Sequence, residues 1–124
     1  MSARVVNVSG IDAIFQGDQV EAQVTVYDSN NERVSLATGT VDTITYQIQN
    51  SDKSTGWLVQ LGVGSGITVR SQVGGDIGVF DMVILPADTA PLSGVLYHEC
   101  MVTLQTRPRT ILYGEFEVKV SPIK

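Results

Sequence analysis

The 124-residue chain contains one cysteine, one histidine and one tryptophan, and this scarcity excludes several kinds of site. The single cysteine, Cys100, cannot form an internal disulfide bond, so an apolar core must hold the fold, and a secreted domain stabilised by cystines is disfavoured. A structural zinc site takes about four ligands and a catalytic one about three, so carboxylates would have to supply most of any metal site. We therefore expect no cofactor, no metal and no catalytic residue, and predict that the protein is not an enzyme.

Basic residues are also scarce: 8 Lys and Arg stand against 13 Asp and Glu, which gives a net charge of −5 and a pI near 4.6. Because nucleic acids are bound largely through cations that neutralise phosphates, this charge predicts no nucleic-acid partner, and it disfavours anionic membrane surfaces. No apolar run approaches the ~20 residues of a membrane span, and residues 1 to 8 lack the pattern of a secretory signal peptide. We expect a soluble protein that stays in a cytoplasm, unless an upstream segment has been removed.

Alternation of apolar and polar residues is the dominant pattern in what the sequence does contain. Val20, Ala22, Val24 and Val26 alternate with polar or amphipathic residues, which predicts a strand whose apolar face lies in a core. The Asn- and Asp-rich residues 28 to 32 then predict a turn. Further strands are predicted at residues 43 to 50, 57 to 61, 67 to 71, 77 to 85, 95 to 105 and 110 to 120.

Glycine clusters separate several of these strands, and only residues 86 to 92 have a helical pattern, which Pro91 limits to a single turn. Many short strands with such turn signals predict an all-β, antiparallel sandwich or barrel of about seven to eight strands. The sequence contains no repeat, low-complexity tract or linker, so we predict one domain over residues 1 to 124.

The segment His98-Glu99-Cys100 gathers a base, a carboxylate and a thiol, but strand geometry separates them. Successive side chains of a strand point to opposite faces, so His98 and Cys100 share one face while Glu99 lies on the other. Because free cysteine is so often buried, a core or core-edge position for His98 and Cys100 is favoured over a reactive site.

Three further features could each indicate a functional site, but a purely structural role is favoured for each of them. Asp28, Asn30 and Glu32 place oxygen ligands at alternate positions, but the other elements of a calcium-binding EF-hand do not accompany them, so we predict a plain turn. The glycine-rich residues 62 to 66 lack the Gly-Lys-Ser/Thr ending of a phosphate-binding loop, so we predict a flexible connection between strands. Trp57 could be a core anchor or an exposed recognition residue, and the large apolar area of an indole favours the core or its edge.

The last two predicted strands carry a candidate interaction surface. The alternation that turns His98 and Cys100 inward leaves Tyr97 and Met101 outward. On the final strand it predicts an inward set, Leu112, Phe116, Val118 and Val120, and an outward pair, Ile111 and Tyr113. If the two strands form a hairpin, Tyr97, Met101, Ile111 and Tyr113 make a contiguous exposed apolar patch, which is typical of contacts with other proteins. We predict that this patch is buried against a neighbouring subunit.

Four segments of the chain stand in an order and spacing that resemble a known family. They are Phe15-Gln16-Gly17-Asp18 ahead of the alternating strand, the turn from Val26 to Leu36, the stretch from Leu85 to Gly94, and Tyr113-Gly114-Glu115-Phe116-Glu117-Val118 with Ser121-Pro122. In these segments the chain resembles small structural proteins of tailed phages and prophages, which are similar to the N-terminal immunoglobulin-like domain of phage upper-baseplate proteins. The resemblance covers most of residues 14 to 122, with departures at Pro108 and at His98, where an aromatic residue is usual.

The resemblance implies an immunoglobulin-like β-sandwich that is a building block of a virion, as a head decoration, neck or tail and baseplate protein made in the host bacterial cytoplasm. Its implied partners are other virion structural proteins, on which it docks as a homo-oligomer or as part of a symmetric assembly. The family has no catalytic motif to carry over. The alternative is an adhesion module for host-surface carbohydrate or protein, with exposed aromatics such as Trp57 beside Asp and Asn in loops at one end of the sandwich.

Overall fold

Segments of alternating apolar and polar residues pair into one sheet in the computed structural model, which describes residues 3 to 9, 13 to 37, 41 to 52, 56 to 104 and 106 to 120. The described residues form nine strands, one α-helical turn and a short 3-10 helix (Gly74–Asp76), which confirms the predicted all-β class. The strands are β1 (Ala3–Ser9), β2 (Ala13–Phe15), β3 (Val20–Asp28), β4 (Val41–Asn50), β5 (Trp57–Val63), β6 (Gly66–Val69), β7 (Val79–Ile84), β8 (Gly94–Leu104) and β9 (Arg107–Lys119).

The strands β3 to β9 correspond to the seven strands that the sequence predicts, with ends displaced by no more than a few residues. In β3 the four residues expected to face the core, Val20, Ala22, Val24 and Val26, are all buried. The short strands β1 and β2 were not predicted. Val120, which was expected to face inward, is exposed, because β9 ends one residue before it.

The hydrogen-bonded order of the strands is β1-β3-β7-β6-β5-β4-β8-β9-β2. The order passes from β6 to β5 only through the short pairing of Gly62 with Gly66 and of Val63 with Ile67, so we treat β1, β3, β7 and β6 as one layer and β5, β4, β8, β9 and β2 as the other. Strand β1 also contacts β9, so the sheet is nearly closed. Most pairings are antiparallel, while β2 with β9 and the short contact of β5 with β6 are parallel, so the sheet is mixed.

The crossing from one layer to the other depends on a glycine at the start of β6. Gly66 has φ +95, and a Cβ atom there would lie 2.6 Å from a methyl group of Leu61. A side chain at this position would meet both backbone strain and a steric clash. Residues 62 to 66 connect β5 to β6, as predicted, through a tight turn in which the Ser65 amide donates to the Gly62 carbonyl at 2.8 Å. The flexibility of this connection stays a prediction.

The inward-facing residues of both layers meet in one apolar cluster. Burial of this surface is the main favourable contribution to folding in a chain without a disulfide bond. The largest side chains that are fully buried come from β3, β4, β6, β7, β8 and β9, and are Tyr46, Phe80, Ile44, Ile48, Ile67, Met82, Ile84, Val24, Val26, Val79, Val102 and Val118.

The predicted helical turn is present as α1 (Pro86–Thr89), between β7 and β8. Pro86 occupies the first turn, where its missing N–H costs no hydrogen bond. The buried hydroxyl of Thr89 donates to the Asp18 carbonyl at 2.7 Å, and the Gln16 side-chain amide donates to the Leu92 carbonyl at 2.9 Å. These two bonds fix α1 against the turn that joins β2 to β3.

Candidate interaction surfaces

The predicted apolar patch on β8 and β9 loses one of its four members. Ile111 is only 4% exposed and belongs to the core. A β-bulge is the cause: Cys100 pairs with Leu112 while the next residue, Met101, pairs with Thr110, so Ile111 is an extra residue in β9. The bulge interrupts the alternation and turns Ile111 inward, so the prediction that Ile111 faces outward is wrong.

The other three predicted members differ in how much surface they present. Tyr113 is 72% exposed, whereas Tyr97 and Met101 are half-buried. Glu99 lies opposite Tyr113 and between Tyr97 and Met101 along β8. The three residues therefore share a face with polar groups rather than forming a continuous apolar patch, and their burial against a neighbouring subunit stays a prediction.

We call the outward-pointing residues of β5, β4, β8 and β9 the outer face. Two rows of directly paired residues cross it, because cross-strand partners share a face of the sheet. The first row is Gln60, Gln47, Glu99 and Tyr113, and the second is Trp57, Gln49, Tyr97 and Glu115. A shallow depression of about 250 Å³ lies on the first row and is lined by Thr45, Gln47, Gln60, Glu99 and Met101.

Trp57 lies at the start of β5, at one end of the second row. Its side chain is 55% exposed, so the expectation of a core or core-edge position is wrong. The reason lies in a second register shift: Ile48 pairs with Val59 but Gln49 pairs with Trp57, which leaves Leu58 as the extra residue. The pairing places Trp57 on the same face as Gln49 and Gln47, away from the core.

Exposed apolar residues are concentrated at one end of the sandwich, which we call the α1 pole. Strands β3, β5 and β8 begin at this pole, and strands β2, β4, β7 and β9 end there. The pole also contains α1 and the turn after β2. Of the nine large hydrophobic side chains that are exposed in the described part of the chain, six lie here: Phe15, Trp57, Leu58, Leu85, Val95 and Val120. Beside them is a pocket of about 290 Å³ that Leu58, Pro91, Leu92 and Leu96 line together with Asn50 and Ser93.

The α1 pole was not predicted from the sequence. Its members lie in five separate regions of the chain, at the ends of strands or in turns. One signal was available: Leu85 and Val95 are the last and first residues of predicted strands, and Phe15 precedes one, at positions close to turns where polar residues are usual. Only the strand order shows that they meet at the same end.

The outward side of the other layer is ionic. Arg70 forms a bidentate pair with Asp81, with Nε to Oδ2 at 2.8 Å and Nη2 to Oδ1 at 3.0 Å, and also contacts Asp76 at 3.3 Å. The hydrogen bonds to Asp81 and Asp76 raise the pKa of Arg70 above its usual value. The two layers therefore present different surfaces, one charged and paired, the other aromatic and amide-rich.

His98 and Cys100 lie in the core, as predicted. Burial lowers the pKa of His98, and burial, with a smaller contribution from Glu99, raises the pKa of the Cys100 thiol to about 12. A neutral imidazole and a protonated thiol without solvent access are the expected states of structural residues rather than of a nucleophile and its base. The side chain of Glu99 points to the outer face, so the three residues do not form a site.

The loop at residues 28 to 32 is a turn, as predicted. One carboxylate oxygen of Asp28 accepts hydrogen bonds from the backbone amides of Asn30 at 2.8 Å and Glu32 at 3.0 Å. Asn31 has a positive φ of 62, which asparagine tolerates better than most residues. The Asp28 carboxylate thus stabilises the turn through these hydrogen bonds.

The described ranges contain no group of three or more His, Cys, Asp or Glu side chains with the geometry to hold a metal ion. No helix in the same ranges is both long and apolar enough to cross a membrane. The outer face and the α1 pole each combine exposed side chains with a depression.

Comparison with known proteins supports the fold and gives no relative by sequence. No protein-family model matches the chain, and no curated protein sequence matches it. Among solved structures, the chain is similar to part of the endo-β-1,4-mannanase from Thermotoga petrophila, with a TM-score of 0.50 and 12% identity over 97% of this chain and 19% of that one. It is also similar to part of Tp47, the 47-kilodalton lipoprotein of Treponema pallidum, with a TM-score of 0.53 and 14% identity over 94% of this chain and 30% of that one.

CopC from Methylosinus trichosporium OB3b gives a TM-score of 0.46 and 12% identity, over 98% of this chain and 96% of that one. The chain spans less than a third of the mannanase and lipoprotein chains that it matches. At such low identity these similarities concern the fold alone. The similarities to the mannanase and the lipoprotein therefore support the fold of this chain and carry no statement about its function.

Proposed function

We propose that the protein is a non-enzymatic docking module and a structural component of a tailed phage particle, as a head decoration, neck or tail and baseplate protein. The observation that carries the docking role is the concentration of exposed apolar side chains at the α1 pole. The phage assignment rests on the resemblance of the four sequence segments. One of these, from Leu85 to Gly94, includes α1 and thus lies at the same pole.

The physical chemistry of the pole favours a protein partner. Exposed apolar residues that occur singly need no explanation, but a cluster of them on a soluble domain is typical of a contact with another protein. The polar rim includes three acidic residues, Asp18, Asp88 and Glu117, and one basic residue, Lys119 beside Phe15, so a partner surface with an apolar centre and mainly basic margins fits best. The hydrogen bonds of Thr89 and Gln16 hold the pole in place before the partner arrives, which lowers the entropic cost of binding.

The direct test is whether the protein is part of the particle. Phage particles would be induced from the strain that carries the gene, purified by density gradient and analysed by quantitative mass spectrometry. We expect the protein at a fixed stoichiometry to the major capsid or tail proteins. Absence from intact particles that are infectious would overturn the proposal.

Substitutions then test the surface. Leu85→Asp and Phe15→Asp should each abolish incorporation into particles, because they place a charge in the apolar contact. Val73→Asp is the matched control, since Val73 is also an exposed apolar residue but lies outside the pole. Circular dichroism and thermal unfolding should show all three variants folded, and normal incorporation of the Leu85 and Phe15 variants would exclude the pole as the contact.

A further inference from the structure

We infer that the outer face is a second binding site, which takes an uncharged, linear oligosaccharide across β5, β4, β8 and β9. This site is separate from the α1 pole except at Trp57, which belongs to both surfaces. In the assembled particle, a domain held by its pole would keep the first row of the outer face free to contact sugars. The inference rests on the order of side chains across four neighbouring strands.

The first row of the outer face supplies the hydrogen-bonding groups. Gln60, Gln47 and Glu99 are neighbours on β5, β4 and β8, and Tyr113 follows on β9. Adjacent strands lie about 4.8 Å apart, so the row is roughly 14 Å long. The depression of about 250 Å³ lies along its centre, and Gln60, Gln47 and Glu99 line it.

Amide side chains suit a sugar better than most other ligands. Each glutamine offers a donor and an acceptor in one plane, and each sugar hydroxyl also donates and accepts, so paired bonds form without any net charge. Gln49 extends the amide set in the second row, between Trp57 and Tyr97. In a shallow site of this kind a few placed polar groups fix the orientation of the ligand.

Aromatic rings frame these polar groups on both sides. Trp57 lies at the β5 side of the second row, and Tyr113 lies at the β9 side of the first. Both side chains are more than half exposed, so their rings are accessible to the apolar C–H face of a pyranose ring. Aromatic side chains provide large contact area together with a polar end, which suits a ligand that is apolar on one face and hydroxylated at its rim.

The charge on the face determines which sugars fit. The two rows contain two carboxylates, Glu99 and Glu115, and no lysine or arginine. The Tyr97 hydroxyl donates to Glu99 Oε2 at 3.3 Å, which holds this carboxylate in place beside the depression. Acidic glycans would be repelled by these groups and by the net charge of −5, whereas neutral sugars can donate hydroxyl protons to them.

A protein partner is the competing occupant of this face. The depression at the centre of the face is lined by two amides, one carboxylate, one threonine and a single apolar side chain, Met101, whereas the centre of a protein interface is depleted of charge and enriched in large apolar groups. The concentration of apolar residues lies at the α1 pole instead. The outer face is therefore assigned to a small polar ligand.

The single tryptophan makes the site directly measurable. Trp57 fluorescence and ¹⁵N NMR spectra of the whole chain would be recorded during titration with β-1,4-linked oligosaccharides of glucose, mannose and N-acetylglucosamine, followed by an array of neutral bacterial surface glycans. We expect a change in Trp57 emission and amide shifts confined to residues 45 to 49, 57 to 60, 97 to 101 and 113 to 115 with at least one of these neutral sugars. Oligogalacturonate, an acidic probe, should bind at least tenfold more weakly than the best neutral sugar.

Variants connect binding to the proposed groups. Gln47→Leu and Tyr113→Ala should each weaken binding at least tenfold, while Leu85→Asp, the docking variant at the pole, should bind sugar as the parent protein does. Absence of response to every neutral glycan would overturn the inference and leave the docking proposal intact. Self-association that Tyr113→Asp abolishes, detected by sedimentation, would assign the face to a second copy of the chain and would also overturn it.

Discussion

The hydroxyl group of Tyr46 lies 3.0 Å from Nδ1 of His98 between the two layers of the sandwich. The imidazole ring also contacts Phe116, with ring centroids 4.8 Å apart. Tyr46 on β4 and His98 on β8 are both buried, and their hydrogen bond satisfies two polar groups that would otherwise destabilise the core. The pair explains how a histidine occupies a position where the resemblance leads one to expect an aromatic residue.

Stability should fall as the pH is lowered through 6.5, because burial lowers the pKa of His98 below that ordinary value. The pKa of His98 is lower in the folded protein than in the unfolded chain, so between these two values the unfolded chain binds a proton that the folded protein does not. The free energy of unfolding is therefore highest above pH 6.5 and decreases below it. Urea unfolding across this range measures the effect. His98 is the only histidine, so His98→Gln should remove the dependence, and an equal slope in both proteins would contradict the assignment.

Ile111 and Tyr113 should respond oppositely to truncation, although the alternation pattern assigned them to the same face. Ile111→Ala removes buried methyl groups and should lower the free energy of unfolding by about 2–5 kcal/mol. Tyr113→Ala removes an exposed ring and should change it by no more than about 0.5 kcal/mol. Chemical denaturation of the two variants tests the bulge in β9, and a larger loss at Tyr113 would mean that the register is different.

Gln72 should be important for stability despite lying in a loop. Its Oε1 accepts hydrogen bonds from the Leu36 and Gly78 amides, both at 2.8 Å, and its Nε2 donates to the Arg70 carbonyl at 2.9 Å. Gln72→Ala leaves three backbone groups without these partners and should cost about 1–3 kcal/mol. Gln19→Ala, at an exposed position, is the control for thermal unfolding, and equal melting temperatures for the two variants would contradict the role of Gln72.

Cys100 should not react with thiol reagents while the protein is folded. Burial raises its pKa to about 12, so little thiolate forms at neutral pH, and the side chain has no exposed surface. The rate of reaction with a disulfide reagent should therefore follow unfolding and rise with denaturant. Cys100→Ala/Ser71→Cys supplies an exposed thiol as the comparison, and fast labelling of Cys100 without denaturant would show that the core opens locally.

The strands and most of the core could be predicted from the sequence because alternation is a local property. Val20 and Phe116 face inward where the period of two places them. Alternation fails where pairing adds a residue to one strand, and both failures, Ile111 and Trp57, lie next to such register shifts. A shift of this kind depends on the partner strand, so no window of one strand reveals it.

The two candidate surfaces differ in how far sequence reasoning could reach them. Part of the outer face was predicted, because Tyr97, Met101 and Tyr113 lie on two consecutive strands. Its glutamines were not predicted, because only the pairing of β4 and β5 in the structure places them on the same face. The α1 pole could not be predicted, because only the order of nine strands shows that Phe15 and Leu58 lie at the same end of the sandwich. The prediction of both surfaces was limited because the pairing of strands that are distant in the sequence could not be predicted.

The strand order begins with β1 and ends with β2, although these strands follow one another in the chain. One N-terminal stretch thus covers the outer edge of β3 with one part and that of β9 with the next. This stretch therefore contacts both layers of the sandwich. Removal of this stretch would expose the edges of β3 and β9, and each exposed edge could pair with a strand of another molecule. The segment that completes the fold therefore also protects the protein against polymerisation into fibres.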